Sequence, residues 1–234
     1  MPEYPFEAFG TKHLLYMAGV VVAWIVVLHV GLRHLAPRQR RHVALALAIF
    51  SLFQELVDDL LKVYYGVWAL QTDLPLHLCS LGMLVSVWAL LTRRQLVFEV
   101  AYYWVLAAAT QAILTPDNTR WRLGELDAFW NFLSHGVIIL NVLWLIFVDK
   151  MRCREGSWWR VFLITNLMVV PISLINASLG SNYFFICWKP GGVSPFLLGD
   201  WPWYIFWFEV FGLLFFLLLY TPMGWLNRRL FPGE

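Results

Sequence analysis

The chain has 234 residues, 60% hydrophobic, 18% aromatic and only 14% charged, with a formal net charge of +2. That composition lies outside the soluble globular range and calls for lipid as solvent. The Lys and Arg residues are scattered through connecting segments, which argues against a nucleic-acid footprint and leaves lipids or small molecules as the expected partners.

A single span takes roughly 20 apolar residues, so this length holds about seven spans joined by short loops. Apolar runs bounded by charge, Pro or Gly predict helices near 12–32, 43–65, 75–92, 96–115, 128–148, 160–180 and 202–221. The first run, Leu14 to Val30, lacks a small-residue cleavage pattern and is followed by Arg33, Arg38, Arg40 and Arg41. It reads as a retained span and not as a signal peptide. With no internal repeat and no long linker, residues 1–234 are expected to form one all-α transmembrane bundle. Twelve Lys and Arg fall in the loops of one side, against Lys12, Arg120, Arg122 and Lys189 on the other. Since cytoplasmic loops carry the excess of basic residues, the N-terminus is expected outside and the C-terminus inside.

The second span carries the densest polar pattern. Gln54, Asp58 and Lys62 repeat at i, i+4, i+8, and Glu55 and Asp59 form a neighbouring row, so one broad face is polar and must turn inward. Two roles fit that face: an Asp–Lys pair fixing helix packing, or the lining of a polar cavity. The third span opens with Leu74-Pro75-Leu76-His77-Leu78-Cys79, with Pro expected in the first turn and the thiol one turn into the helix. Helical rise then puts Cys79 ~6 Å below the outer end, and His135 of the fifth span ~10 Å below it. A thiol becomes a strong nucleophile beside a base, and His is the usual one. The spacing alone also allows the ordinary reading, a buried Cys and a His that hydrogen-bonds a neighbouring helix. Cys187, in the loop after the sixth span, allows a Cys79–Cys187 disulfide, while Cys153 lies in the basic inner loop and is expected reduced. His77 lies about 200° around the helix from Cys79 and does not share its face.

The longest connection runs from Asn176 through Asn182, Tyr183, Lys189-Pro190 and Gly199-Asp200 to Trp201-Pro202-Trp203-Tyr204. Gly and Pro at this density mark turns, and the Trp and Tyr cluster suits a headgroup region. It reads either as an aromatic belt or as a lid over an outer cavity, with Lys189 facing lipid phosphate. Asp117, after the fourth span, falls on the same side.

At Leu74 through Cys79, Leu114-Thr115-Pro116-Asp117, His135, Asn176 through Tyr183, Lys189-Pro190 and Trp201 through Tyr204, the sequence resembles the YwaF-like family of bacterial integral membrane proteins. It is more distantly similar to eukaryotic transmembrane protein 164, a cysteine-dependent acyltransferase that moves a fatty acyl chain from a phospholipid to a lysophospholipid. The resemblance implies Cys79 as nucleophile and His135 as its base, in a site within the outer half of a bacterial cytoplasmic membrane. The expected substrate contacts are His77, Asp117, Asn131, Asn176, Asn182, Tyr183, Lys189 and Trp203, beside a polar cavity of Gln54, Asp58 and Lys62. No metal or nucleotide cofactor is implied; phospholipid and lysophospholipid are the expected partners. Three functions stay open at this point: a Cys–His acyltransferase or ester hydrolase, a transporter using the acidic face of the second span, and a non-enzymatic lipid sensor.

Overall fold

A computed structural model describes residues 6–190 and 197–230. They form seven α-helices: α1 (Thr11–Arg33), α2 (Pro37–Tyr64), α3 (Leu78–Thr92), α4 (Gln95–Leu114), α5 (Glu125–Phe147), α6 (Ser157–Leu179) and α7 (Trp203–Leu230). Short 3-10 turns at Asn118–Arg120 and Tyr183–Phe185 complete the described structure, and no strand occurs among the described residues. Five of the helices, α1, α4, α5, α6 and α7, are long and apolar enough to cross a membrane. The protein is an all-helical integral membrane protein.

The burial pattern is that of a bundle in lipid. Leu15, Val22 and Ile25 of α1, Ile49, Phe53, Leu56 and Leu60 of α2, Leu167 and Leu174 of α6, and Leu218 of α7 all face outward. Polar side chains turn inward, where each must find a partner or a cavity. α4 and α5 form the centre, with Phe98, Ala101, Tyr103, Val105, Phe132, Trp144 and Leu145 almost fully buried. α1 lies against α5, where the Trp24 Nε1–H donates to the Gly136 carbonyl at 2.8 Å. Two glycines allow that approach: a Cβ on Gly31 would meet Trp144 Cζ3 at 2.7 Å, and one on Gly136 would meet Val20 at 3.1 Å. α2, α3 and α5 are joined by Asn141, whose Nδ2 donates to Ser51 Oγ at 2.9 Å and Ser86 Oγ at 3.0 Å. α6 and α7 pair with each other and rest on α4, through Trp104 Nε1–H to Thr165 Oγ1 and Tyr102 OH to the Leu219 carbonyl, both at 2.7 Å.

On the side where α4 begins, Glu99 is fully buried and gathers charge-assisted bonds from Arg154 Nε at 2.9 Å and Arg154 Nη2 at 3.0 Å, with Arg160 at 3.4 Å. This ties the α5–α6 connection to α4. Arg154 holds its proton more firmly than usual because of its bonds to Glu99. In the same connection burial pushes the Cys153 thiol up, and the Glu99 carboxylate adds to the shift.

Two boundaries differ from the sequence expectation in ways that shape the site. α2 begins six residues earlier than expected, because Pro37 fits the first helical position and Gln39 Oε1 accepts from the Ala36 N–H. α3 begins three residues later, at Leu78, so Pro75 is not in its first turn. Tyr183 OH takes the Leu74 N–H at 3.0 Å, the Leu76 N–H closes back on the Leu74 carbonyl at 2.7 Å, and His77 is extended. These bonds hold the segment out of helical geometry, so Cys79 is the second residue of α3 and not a full turn inside it. α2 is long enough to cross a membrane but not uniformly apolar, because its inward face carries Glu55, Asp58, Asp59 and Lys62 although its outward face is apolar.

Candidate functional site

One cavity of about 750 Å³ lies between the α2–α3–α5 side of the bundle and the α6–α7 pair, with α4 along its wall. Its two ends differ in chemistry. At one end Gln54, Glu55, Asp58, Asp59 and Lys62 of α2 meet Asp73 of the 65–77 loop, Asp117, Arg122 and Asp127. At the other, Phe162, Val169, Ile186, Ile205, Phe208, Phe211, Phe215 and Phe216 make an apolar compartment.

The polar end is built around two cations. Lys62 Nζ lies 2.7 Å from Asp58 and 3.4 Å from Asp73. Arg122 Nη2 reaches both oxygens of Asp73 at 2.7 Å, and its Nη1 donates to the Val67 carbonyl. Asp73 also accepts from the Ala69 N–H at 2.9 Å and Thr72 Oγ1 at 2.7 Å. Burial alone would raise the Asp73 carboxyl, but the bonds from Arg122, Thr72 and Ala69 and the Lys62 charge together hold it below the ordinary Asp range. Trp68 Nε1–H donates to Asp59 at 3.1 Å, and Asp127 accepts the Leu123 N–H at 2.6 Å. The expected Asp58–Lys62 pair is present within α2, and both residues line the cavity.

Cys79 and His135 both line this cavity and are half-buried. Cys79 sits in the first turn of α3, where backbone N–H groups have no acceptor within the helix and the helix dipole is positive. His77 is the N-cap, with its ring 5.0 Å from those of Tyr183 and Phe185. His135 Nδ1 lies 2.7 Å from the Asn131 carbonyl. A carbonyl only accepts, so Nδ1 carries the proton and Nε2 is the basic nitrogen of the neutral ring. All three cysteines are thiols, so the Cys79–Cys187 disulfide weighed from the sequence is not formed; Cys187 is exposed and Cys153 buried.

The remaining predicted contacts divide. Gln54, Asp58, Lys62, His77, Asp117 and Asn131 line the cavity with Cys79 and His135. Asn131 also anchors α5 to α4, its Nδ2 donating to the Ala112 carbonyl at 3.1 Å. Asn176, Asn182 and Tyr183 instead organise the loop whose Phe184, Phe185 and Ile186 line the cavity. Asn176 Oδ1 accepts from the Tyr183 N–H and from Ser181 Oγ at 2.8 Å each, and its Nδ2 donates to the Tyr183 carbonyl at 2.9 Å. Asn182 donates to the Trp188 carbonyl at 2.6 Å, and the Tyr183 phenol donates to the Leu70 carbonyl at 2.6 Å. Lys189 lies 3.9 Å from Asp200, and Trp203 is exposed at the start of α7, away from the cavity.

Residues absent from the sequence list also line the cavity: Asp73, Arg122, Asp127, Trp130, Ser134 and Gln111. Arg122 was legible only as a loop cation; its partner lies 49 positions away in the chain. Gln54 Oε1, Asp117 Oδ2 and Trp130 Nε1 are buried on this cavity with no hydrogen-bond partner among the described residues.

Sequence comparison is consistent with this architecture. The TMEM164 family matches residues 8–220. An uncharacterized protein of Treponema pallidum is 27% identical over 186 residues, covering 79% of this chain and 76% of that protein. No solved structure matches.

Proposed function

We propose that this chain, which belongs to the TMEM164 family, moves a fatty acyl group from a phospholipid to a lysophospholipid through a Cys79 thioester. The observation that carries the reading is that Cys79 and His135, from two different helices, face one cavity with a charged end and an apolar end. Such a cavity has the two-part chemistry of a lipid: a polar head and an acyl chain.

In the proposed cycle His135 Nε2 takes the Cys79 proton, and the sulfur attacks the ester carbonyl of the donor. The first-turn N–H groups of α3, which have no acceptor within the helix, would support the oxyanion. The ester C–O bond breaks, the imidazolium returns the proton to the departing lysophospholipid oxygen, and the acyl group stays on sulfur. The acceptor's hydroxyl then gives its proton to Nε2 and attacks the thioester, releasing new phospholipid and restoring the thiol. The 2.7 Å bond from Nδ1–H to the Asn131 carbonyl supports a fixed tautomer for both half-reactions. Hydrolysis through the same pair is the second reading, favoured by a polar end that can admit water to the thioester.

The test is reconstitution with an isotopically labelled phospholipid donor and an unlabelled lysophospholipid, followed by mass spectrometry of wild type, Cys79→Ala and His135→Ala. Label moving to the acceptor in wild type and in neither variant supports the transferase. Label released as free fatty acid selects the hydrolase, and full activity in Cys79→Ala removes both.

A further inference from the structure

Along α7, Ile205, Phe208, Gly212, Phe215 and Phe216 recur at helical spacing and present one face to the cavity. Every member of that row is bulky except Gly212. Glycine in a helix interior costs about 1 kcal/mol relative to alanine, so its presence calls for a reason. In membrane bundles the usual reason is close helix approach. Gly31 and Gly136 serve that purpose, since a Cβ would collide with Trp144 at the first and crowd Val20 at the second. Gly212 does not: a Cβ there would meet nothing within 4 Å. What the missing side chain leaves is cavity space. α4, which packs beside α7, contributes Ala107, Ala108 and Ala112 to the same cavity, so the neighbouring wall is built from small residues. Glu209, three positions before Gly212, also lines the cavity, and its Oε2 accepts from Asn166 Nδ2 of α6 at 3.1 Å. Gln54, 1% exposed, also lines the cavity and has a buried Oε1 with no hydrogen-bond partner among the described residues, which suits a ligand with a polar head.

We infer that Gly212 is the specificity-determining residue for acyl-chain length: the notch it leaves in the phenylalanine wall accommodates the distal methylenes of a bound lipid. The inference rests on the lipid reading of the cavity proposed above and not on its covalent step.

Binding is therefore measured in the Cys79→Ala protein, where no thioester forms, by native mass spectrometry with lysophosphatidylcholines of graded acyl length. Adding Gly212→Leu fills the notch and displaces two to three methylenes, which lowers affinity for the longest chains by roughly ten- to sixty-fold. The shortest chains bind as before. Phe215→Ala widens the same compartment and moves the preference toward longer chains, and it keeps the inference testable if Gly212→Leu does not fold. Unchanged length dependence in Gly212→Leu, or in Phe215→Ala where that variant alone folds, overturns the assignment of Gly212 while leaving the lipid reading in place. A Cys79→Ala parent that binds none of the series overturns both.

Discussion

Replacing Asp73 with Asn removes one charge from the polar end of the cavity and keeps the side chain's shape. The Asp73 side chain is 5% exposed and faces Arg122 at 2.7 Å and Lys62 at 3.4 Å. Breaking a fully buried pair costs about 3–5 kcal/mol, because the remaining cation stays buried without its counter-charge. Here Lys62 keeps Asp58 at 2.7 Å and the Arg122 side chain is 31% exposed, which lowers the expected loss to about 2–3 kcal/mol. For a chain of this size that is a fall in Tm of roughly 5–10 °C. The 14 Trp residues give a fluorescence readout of unfolding in detergent or nanodiscs. Because the folded carboxyl is held below its usual value, its contribution is fully present above the unfolded pKa, about 3.9, and disappears as pH falls through the lowered folded value. The gap in Tm between wild type and Asp73→Asn should therefore be constant from neutral pH to about pH 5 and close only in stronger acid. Equal Tm values at neutral pH, or a gap that widens on acidification, would refute the assignment of Asp73 as the electrostatic anchor of the 65–77 loop.

Tyr183→Phe deletes the phenol that donates to the Leu70 carbonyl and accepts the Leu74 N–H. Leaving those backbone groups unsatisfied should cost about 1–3 kcal/mol in thermal unfolding and speed alkylation of Cys79, whose helix start that loop defines; an unchanged alkylation rate would separate Tyr183 from the site. Cys187 is exposed, whereas Cys153 is fully buried with its thiol pushed up by burial and by Glu99. Maleimide should modify Cys187 in the folded protein and reach Cys153 only after unfolding, as peptide mapping by mass spectrometry would report; prompt labelling of Cys153 would contradict its packing.

Much of the fold was legible because a membrane helix announces itself by length and hydropathy, and seven apolar runs became seven helices. The inward face of α2 was legible for a related reason, since Gln54, Asp58 and Lys62 at four-residue spacing have one common direction. The start of α3 was not. Leu74-Pro75 has the form of a helix opening, but the Tyr183 phenol, more than a hundred positions later, takes the Leu74 N–H and keeps the segment out of helical geometry. Asn176 and Asn182 were singled out for their polarity in an apolar stretch, and that signal does not distinguish a residue that folds a loop from one that meets a ligand. Gly212 could not have been chosen from sequence, because only the surrounding space separates it from the glycines that let helices touch.

The late start of α3 leaves a helix of 15 residues, about 22 Å long, in a bundle suited to a hydrocarbon layer of roughly 30 Å. The 65–77 loop, held by Arg122 and Tyr183, stands where a full-length span would begin. Cys79, the second residue of that short helix, thereby stands next to the loop and not a full turn inside an apolar helix. On the acyl-transfer reading proposed above, a lipid meeting that sulfur would keep its head among the charged side chains and its tail among the phenylalanines, so neither half would enter the wrong solvent.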